Sequence, residues 1–76
     1  MTTRPLHEIA REISHDWKNP NFAAVPYLDA MRDLDSIHDS YGLDDASSIV
    51  AYFLSNATTW RGERAREIKA ELRKMI

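Results

Sequence analysis

The residues best suited to chemistry or binding lie in SNATTWRGERAREIKAEL, residues 55–72. Trp60, Arg61, Gly62 and Arg64 stand together in this stretch. Tryptophan and arginine are enriched at the residues that contribute most to binding in protein interfaces. Arginines and free backbone N–H groups at a helix start also favour phosphate. These four residues are therefore the predicted protein- or nucleic-acid-binding site.

The three histidines do not form a metal-site pattern. His7–Glu8 opens like the zinc motif H-E-x-x-H, but Arg11 occupies the place of the second histidine ligand. His7 and His15 are eight residues apart, or about 12 Å along a helix, which is too far for one metal ion. The chain has no cysteine and so no thiolate ligand. We predict no metal and no cofactor.

No motif for covalent catalysis stands out. The nucleophile elbow G-x-S-x-G is absent, and two isolated glycines cannot form a phosphate-binding loop. Ser36, His38 and Asp39 are close in sequence, but a catalytic triad is defined by mutual geometry. Serine and aspartate near helix ends more often act as caps. We predict that the chain is not an enzyme, the alternative being a hydrolase that uses His38 and neighbouring acids.

Length and composition predict one soluble domain, residues 1–76. Charged residues make up 29% and hydrophobic residues 43%, which is ordinary for a globular protein. No apolar run reaches the roughly 18 residues of a membrane span, and the N-terminus lacks the apolar segment of a signal peptide. Together with the absence of cysteine, these features predict a cytoplasmic protein without membrane contact.

The charges are unevenly distributed along the chain. Residues 19–57 contain one arginine and six aspartates, for a net charge of −5, whereas residues 58–76 carry a net charge of +3. Such a division can mark a basic surface that faces a partner. Alternatively, the acidic and basic parts neutralise each other within the fold.

Helical periodicity predicts an all-α fold, a compact bundle of about four short helices. The first helix is predicted from Pro5 to Lys18. The second is predicted to begin near Val25 or Pro26 and to end at Gly42, with a break near Ser36 as an alternative. The segment before it is either a short turn or a lead-in whose Phe22 and Val25 pack inward.

The third helix is predicted to begin after Asp44 or Asp45, either of which can accept bonds from the first N–H groups, and to fade at SNATT. The fourth is predicted from Trp60 to Lys74, capped by Thr58 or Thr59. Apolar stripes define the expected core, which consists of Leu6, Ile9, Ile13, Trp17, Leu28, Met31, Leu34, Ile49, Val50, Phe53, Ile68 and Leu72.

Three stretches carry a family resemblance: FAAVPYLDAM, LDSIHDSYG and YFLSNATTWRGERAREIKAEL. The sequence from about Leu6 to Leu72 resembles a family of small, conserved, uncharacterised proteins of phages, plasmids and integrative elements of Gram-positive bacteria. The resemblance implies a bacterial cytoplasmic setting and a mobile genetic element. It carries over no catalytic or binding residue.

Two functional hypotheses follow from these observations. The first is a non-enzymatic binding protein of a mobile element that docks on an unidentified host or element-encoded protein. The second is DNA or RNA binding through the basic last helix, in a helix-turn-helix with the third helix. The negative net charge and the three glutamates of the last helix weigh against the second hypothesis. The sequence leaves open the oligomeric state and whether Trp60 is core or surface.

Overall fold

A computed structural model describes residues 4–76. Four helices surround one hydrophobic core, and a small antiparallel hairpin precedes the third helix. In chain order the elements are α1 (Leu6–Asp16), α2 (Val25–Met31), β1 (Ser40–Tyr41), β2 (Asp44–Asp45), α3 (Ala46–Ser55) and α4 (Glu63–Met75).

The start of α1 is capped by a distant part of the chain. Pro5 stands at the cap position and offers no side-chain hydrogen bond to the first turn. The N–H groups of Leu6 and His7 instead donate to the carbonyls of Asp35 and Leu34, at 2.9 and 2.8 Å. These contacts satisfy donors that a helix start otherwise leaves free. They also join the beginning of α1 to the chain that follows α2.

The prediction that the second helix continues to Gly42 is wrong, because α2 ends at Met31. Beyond it the chain turns to present the carbonyls that cap α1. The carboxylate of Asp39 fixes this turn by accepting the N–H groups of Asp35 and Ser36, both at 3.0 Å. The segment therefore places its backbone N–H and carbonyl groups in hydrogen bonds outside a helix.

The hairpin corrects the all-α prediction, because the fold is mostly but not purely helical. Ser40 pairs with Asp45 and Tyr41 with Asp44, which leaves a loop of Gly42 and Leu43. Gly42 has a φ of 65°. Glycine with positive φ at the first loop position is the pattern of a type II′ turn, which matches the twist of paired strands. Gly42 thus shapes a hairpin turn and not a helix end.

The start of α3 agrees with the prediction that an aspartate caps it. The carboxylate of Asp45 accepts the N–H of Ser48 at 2.8 Å. Hydrogen bonding to the side chain and the N–H of Ser48 lowers the pKa of Asp45. The ionised form is thus the one that the folded state favours.

The Asp45 cap predicts a pH effect on stability. A folded-state pKa below the unfolded value of about 3.9 means that the stabilisation is present above that value. The stabilisation is lost as the pH falls through the lower folded pKa. Asp45→Asn keeps a good cap but cannot titrate. We therefore expect the melting temperature of the wild type, relative to Asp45→Asn, to fall as the pH drops below about 3.9.

Thermal denaturation followed by circular dichroism over an acidic pH series measures this difference. Asp44→Asn is the matched control, because it removes the neighbouring carboxylate of the same strand and leaves the cap intact. Parallel curves for the wild type and Asp45→Asn would contradict the assignment of the cap.

The last helix begins later than predicted. Neither Thr58 nor Thr59 caps it; Gly62 holds the cap position and α4 starts at Glu63. Trp60 lies outside the helix, in the connection that leads from α3. Its side chain is buried, and the positive φ of Gly62 then marks the point where the chain enters α4.

The predicted core is confirmed, since all twelve of its residues are buried. The structure adds Trp60 and a set of buried alanines: Ala10, Ala24, Ala30, Ala46, Ala57 and Ala65. Of the two alternatives for the segment before α2, the structure shows the short turn, in which the side chain of Phe22 is 93% exposed and does not pack inward. Within residues 4–76, none of the helices has the length and apolar character needed to cross a membrane.

Candidate protein-binding surface

Trp60, the first of the predicted site residues, belongs to the core and is only 2% exposed. Its ring stacks on Trp17 at 5.7 Å between centroids and meets Phe53 edge-on at 6.4 Å. The indole N–H donates to the carboxylate of Asp16 at 2.8 Å. Trp60 thereby joins the ends of α1 and α3 to the start of α4. Its ring is not available to a partner at the surface.

Gly62 is explained by its own backbone. Its φ is 117° and its ψ is 177°, a combination open almost only to glycine. A close approach by another group does not account for it, since a Cβ added here would meet nothing within 4 Å. Gly62 redirects the chain from the buried Trp60 into α4. Glycine has no side chain that could contact a partner. The role of Gly62 is therefore to position the flanking arginines.

Arg61 and Arg64 are the predicted site residues with side chains exposed to solvent. Arg64 lies 3.8 Å from Glu12 and 3.9 Å from Glu67. Exposed ion pairs of this length contribute little to stability. Both arginines are thus placed to interact with a ligand at the start of α4.

Lys69 has a different environment from these arginines. Its ammonium group donates to the carbonyl of Trp60 at 2.6 Å and lies 5.7 Å from the centre of the indole. Partial burial lowers the pKa of Lys69, and the nearby Arg73 and Arg61 lower it further. Lys69 therefore helps to hold the connection between α3 and α4 in place.

The loop after α1 and the connection between α3 and α4 meet near Arg61 and Arg64. The side chain of Asn21 donates to the carbonyl of Asn56 at 2.8 Å and accepts from the hydroxyl of Thr59 at 2.7 Å. These bonds join the loop after α1 to the connection between α3 and α4. We call this surface the loop end; it comprises residues 18–22 and 56–62 together with Arg64.

Phe22 is the most exposed apolar side chain of the loop end, and it was not among the predicted site residues. It directly follows Asn21, whose two hydrogen bonds fix the loop. The only signal in the sequence was weak, a phenylalanine in a short segment between Pro20 and Pro26. The loop end therefore combines an exposed aromatic ring with Arg61 and Arg64.

A shallow groove of about 310 Å³ opens between the connection and α4. Its walls combine three basic side chains with the backbone around Gly62, and no side chain caps the first N–H groups of α4. The lining residues are Thr58, Trp60, Arg61, Gly62, Ala65, Arg66 and Lys69.

The residues weighed for catalysis have structural contacts. Asp39 accepts backbone N–H groups, and the hydroxyl of Ser36 accepts the N–H of His38 at 3.1 Å. His7 lies 3.1 Å from Asp35. In the part of the chain that the structure describes, no group of three His, Cys, Asp or Glu side chains could hold a metal ion.

Comparison with known proteins gives no match: no protein-family model, no curated protein and no solved structure is significantly similar to this chain.

Proposed function

We propose that this chain is a small non-enzymatic binding protein that docks on another protein through the loop end. The observation that carries the proposal is the exposure of Phe22 on a loop that Asn21 fixes. Burying a phenylalanine side chain yields about 1.5–3 kcal/mol, and this fold does not use that contribution. A partner that covers Phe22 would gain it.

The fixed loop favours binding because little conformational freedom remains to be lost. Ordering flexible side chains and loops is one of the main costs of association. Asn21 already bridges the two loops, and Trp60 anchors one of them in the core. The loop end is thus preorganised to present Phe22.

The charges around Phe22 indicate the chemistry of the partner. Lys18, Arg61 and Arg64 are exposed at the loop end. Among the acids nearby, Asp16 is bonded to the indole of Trp60, and Glu12 and Glu67 lie 3.8 and 3.9 Å from Arg64. A complementary partner has an apolar pocket for Phe22 with acidic groups at its border, since complementary charges speed encounter and set specificity.

We further propose that the protein acts in the bacterial cytoplasm as part of a mobile genetic element. The support for this setting is the resemblance of FAAVPYLDAM and YFLSNATTWRGERAREIKAEL to a phage and plasmid family. It makes a Gram-positive host lysate the first place to search for the partner.

The test is affinity capture from such a lysate with tagged wild type, Phe22→Ser and Ile76→Ser. We expect a protein that the wild type retains and that Phe22→Ser binds about tenfold or more weakly, because the ring contributes at least about 1.5 kcal/mol. Ile76→Ser is the control, because Ile76 is also an exposed apolar residue but follows the end of α4 that lies away from the loop end.

A double variant, Arg61→Glu with Arg64→Glu, tests the charge of the partner. It should abolish capture of the same protein and leave the melting temperature nearly unchanged. Recovery of the same proteins in the same amounts by the wild type and Phe22→Ser would refute docking through the loop end.

Nucleic-acid binding is the second candidate, and the groove beside Gly62 favours it. Arg61, Arg66 and Lys69 line a groove at the start of α4, where backbone N–H groups also attract phosphate. The helix-turn-helix variant is not supported, because seven residues separate α3 from α4, more than the usual three or four. Electrophoretic mobility shifts at low and moderate salt test this candidate, which predicts steep weakening with salt. Absence of a shift at low salt would reject it.

A further inference from the structure

The tip of the hairpin carries a leucine that the fold does not use. Leu43 is fully exposed at the second position of the two-residue loop. Such loops favour glycine, asparagine, aspartate and serine, which suit the turn and water alike. Leucine has neither advantage. Tyr41, two residues earlier, adds a ring that is 45% exposed.

The hairpin and the loop end lie at opposite ends of α3. Strand β2 runs directly into α3, and the far end of α3 leads through residues 56–62 into α4. Ten residues of helix separate the two surfaces by about 15 Å. A partner on the hairpin would therefore not compete directly for Phe22.

The charge around the hairpin is acidic. Asp33, Asp35, Asp39, Asp44 and Asp45 surround Tyr41 and Leu43 in the sequence, and residues 33–60 contain no lysine or arginine. Backbone N–H groups of Ser36 and Asp35 lower the pKa of Asp39, and contacts from Ser48 lower that of Asp45. These two carboxylates thus keep their negative charge at neutral pH.

Arg32 does not offset this charge. It contacts Asp29, on its own helix, and its guanidinium donates to the hydroxyl of Ser14 at 2.6 Å. The hairpin therefore presents an apolar tip within a negative field, the opposite of the charge at the loop end.

We propose that the hairpin is a second docking surface, and that its partner is a protein with an apolar pocket bordered by lysine or arginine. Leu43 enters the pocket and the aspartates meet the basic border. Phosphate-bearing partners do not fit, since the aspartates repel them. With the loop end, the hairpin makes the chain an adaptor between two proteins of opposite surface charge.

A second copy of the chain fits the hairpin less well. The basic loop end offers a protruding phenylalanine instead of an apolar pocket. A contact between the hairpin of one copy and the loop end of the next would also be head-to-tail, and such contacts form open chains when the rotation does not close.

Nuclear magnetic resonance titration of the labelled full chain tests the proposal with a defined probe. The probe is a short synthetic peptide of leucine and lysine at helical spacing, which presents apolar side chains between cations. A peptide with serine in place of leucine is the control of equal charge. We expect the probe to shift the amide signals of residues 39–45. Leu43→Ser should weaken binding about tenfold, and Phe22→Ser should leave it unchanged.

Three outcomes would overturn the proposal. One is equal binding of the leucine and serine peptides, which would show charge attraction alone. Another is equal binding by the wild type and Leu43→Ser. The third is dimerisation at low salt, measured by sedimentation and lost in Leu43→Ser, which would identify the occupant as a second copy. Because Phe22 is not involved, none of these outcomes decides docking at the loop end.

Discussion

Replacing Trp60 with alanine should remove most of the protein's stability. Truncation of a buried tryptophan typically costs about 3–5 kcal/mol. Small domains are stable by only about 5–15 kcal/mol, and one of this size lies near the lower end. Each kcal/mol corresponds to roughly 4–8 °C in the melting temperature of such a domain. We therefore expect the melting temperature to fall by roughly 20 °C or more.

The size of this effect follows from the contacts of Trp60. Its stack on Trp17 and its edge contact with Phe53 are lost together in Trp60→Ala. The bond from the indole to Asp16 is lost as well, and Lys69 loses the ring beside it. Trp60→Phe keeps an aromatic ring and removes the indole N–H. It should cost less, about 1–2 kcal/mol, because Asp16 is exposed and can bind water instead.

Urea denaturation followed by circular dichroism measures these differences. Phe22→Ala is the control, since it also truncates an aromatic ring but one that the fold leaves in solvent. We expect its unfolding midpoint to match that of the wild type. Equal stability of Trp60→Ala and the wild type would contradict the core position of Trp60. It would indicate that the ring lies at the surface.

Apolar periodicity predicted the core because helices of this fold bury one face each. Leu6, Ile9 and Ile13 repeat at helical spacing and are all fully buried. Ile49, Val50 and Phe53 in α3 are likewise buried. The core prediction holds even where the predicted helix boundaries are wrong, because a buried stripe depends on the spacing of apolar residues and not on where the helix ends.

The end of α2 and the hairpin could not be predicted in this way. The turn after Met31 depends on N–H groups of Leu6 and His7, which are far away in the sequence. Strands of two residues are too short to show the alternation that identifies a strand. Gly42 was correctly expected to need a left-handed backbone, but that requirement is shared by helix ends and hairpin turns.

The candidate site, too, could be predicted only in part, because it depends on contacts between residues far apart in the sequence. A tryptophan near a helix start suits either a core or a surface, and the stack on Trp17, 43 residues earlier, decides between them. Phe22 was missed because its loop is held by non-local hydrogen bonds: Asn21 donates to the carbonyl of Asn56 and accepts from the hydroxyl of Thr59. Arg61 and Arg64 are exposed, as charged side chains usually are, and their role in binding stays a prediction. Non-local contacts thus determine which aromatic ring a partner can reach.

Replacing Gly62 with alanine should have the second largest effect. Backbone conformations that are open almost only to glycine cost other residues about 1–3 kcal/mol. Since a Cβ at this position meets nothing within 4 Å, the cost arises from the backbone and not from crowding. Gly42→Ala is the matched control, because Gly42 also has a positive φ, of 65°, and a Cβ added there also meets nothing within 4 Å. Gly62→Ala should destabilise at least as much.

D-Alanine at position 62 separates the backbone cause from the steric one. The mirror image of a φ of 117° and a ψ of 177° is ordinary extended backbone, which a D-residue adopts at the native angles. D-Alanine should therefore keep the fold and restrict the unfolded chain, a stabilisation of about 0.4–1 kcal/mol. Chemical synthesis gives both 62-substituted proteins, and urea denaturation should separate them by about 2 kcal/mol. Equal destabilisation by L- and D-alanine would mean that a close contact, and not the backbone, requires glycine between Arg61 and Arg64.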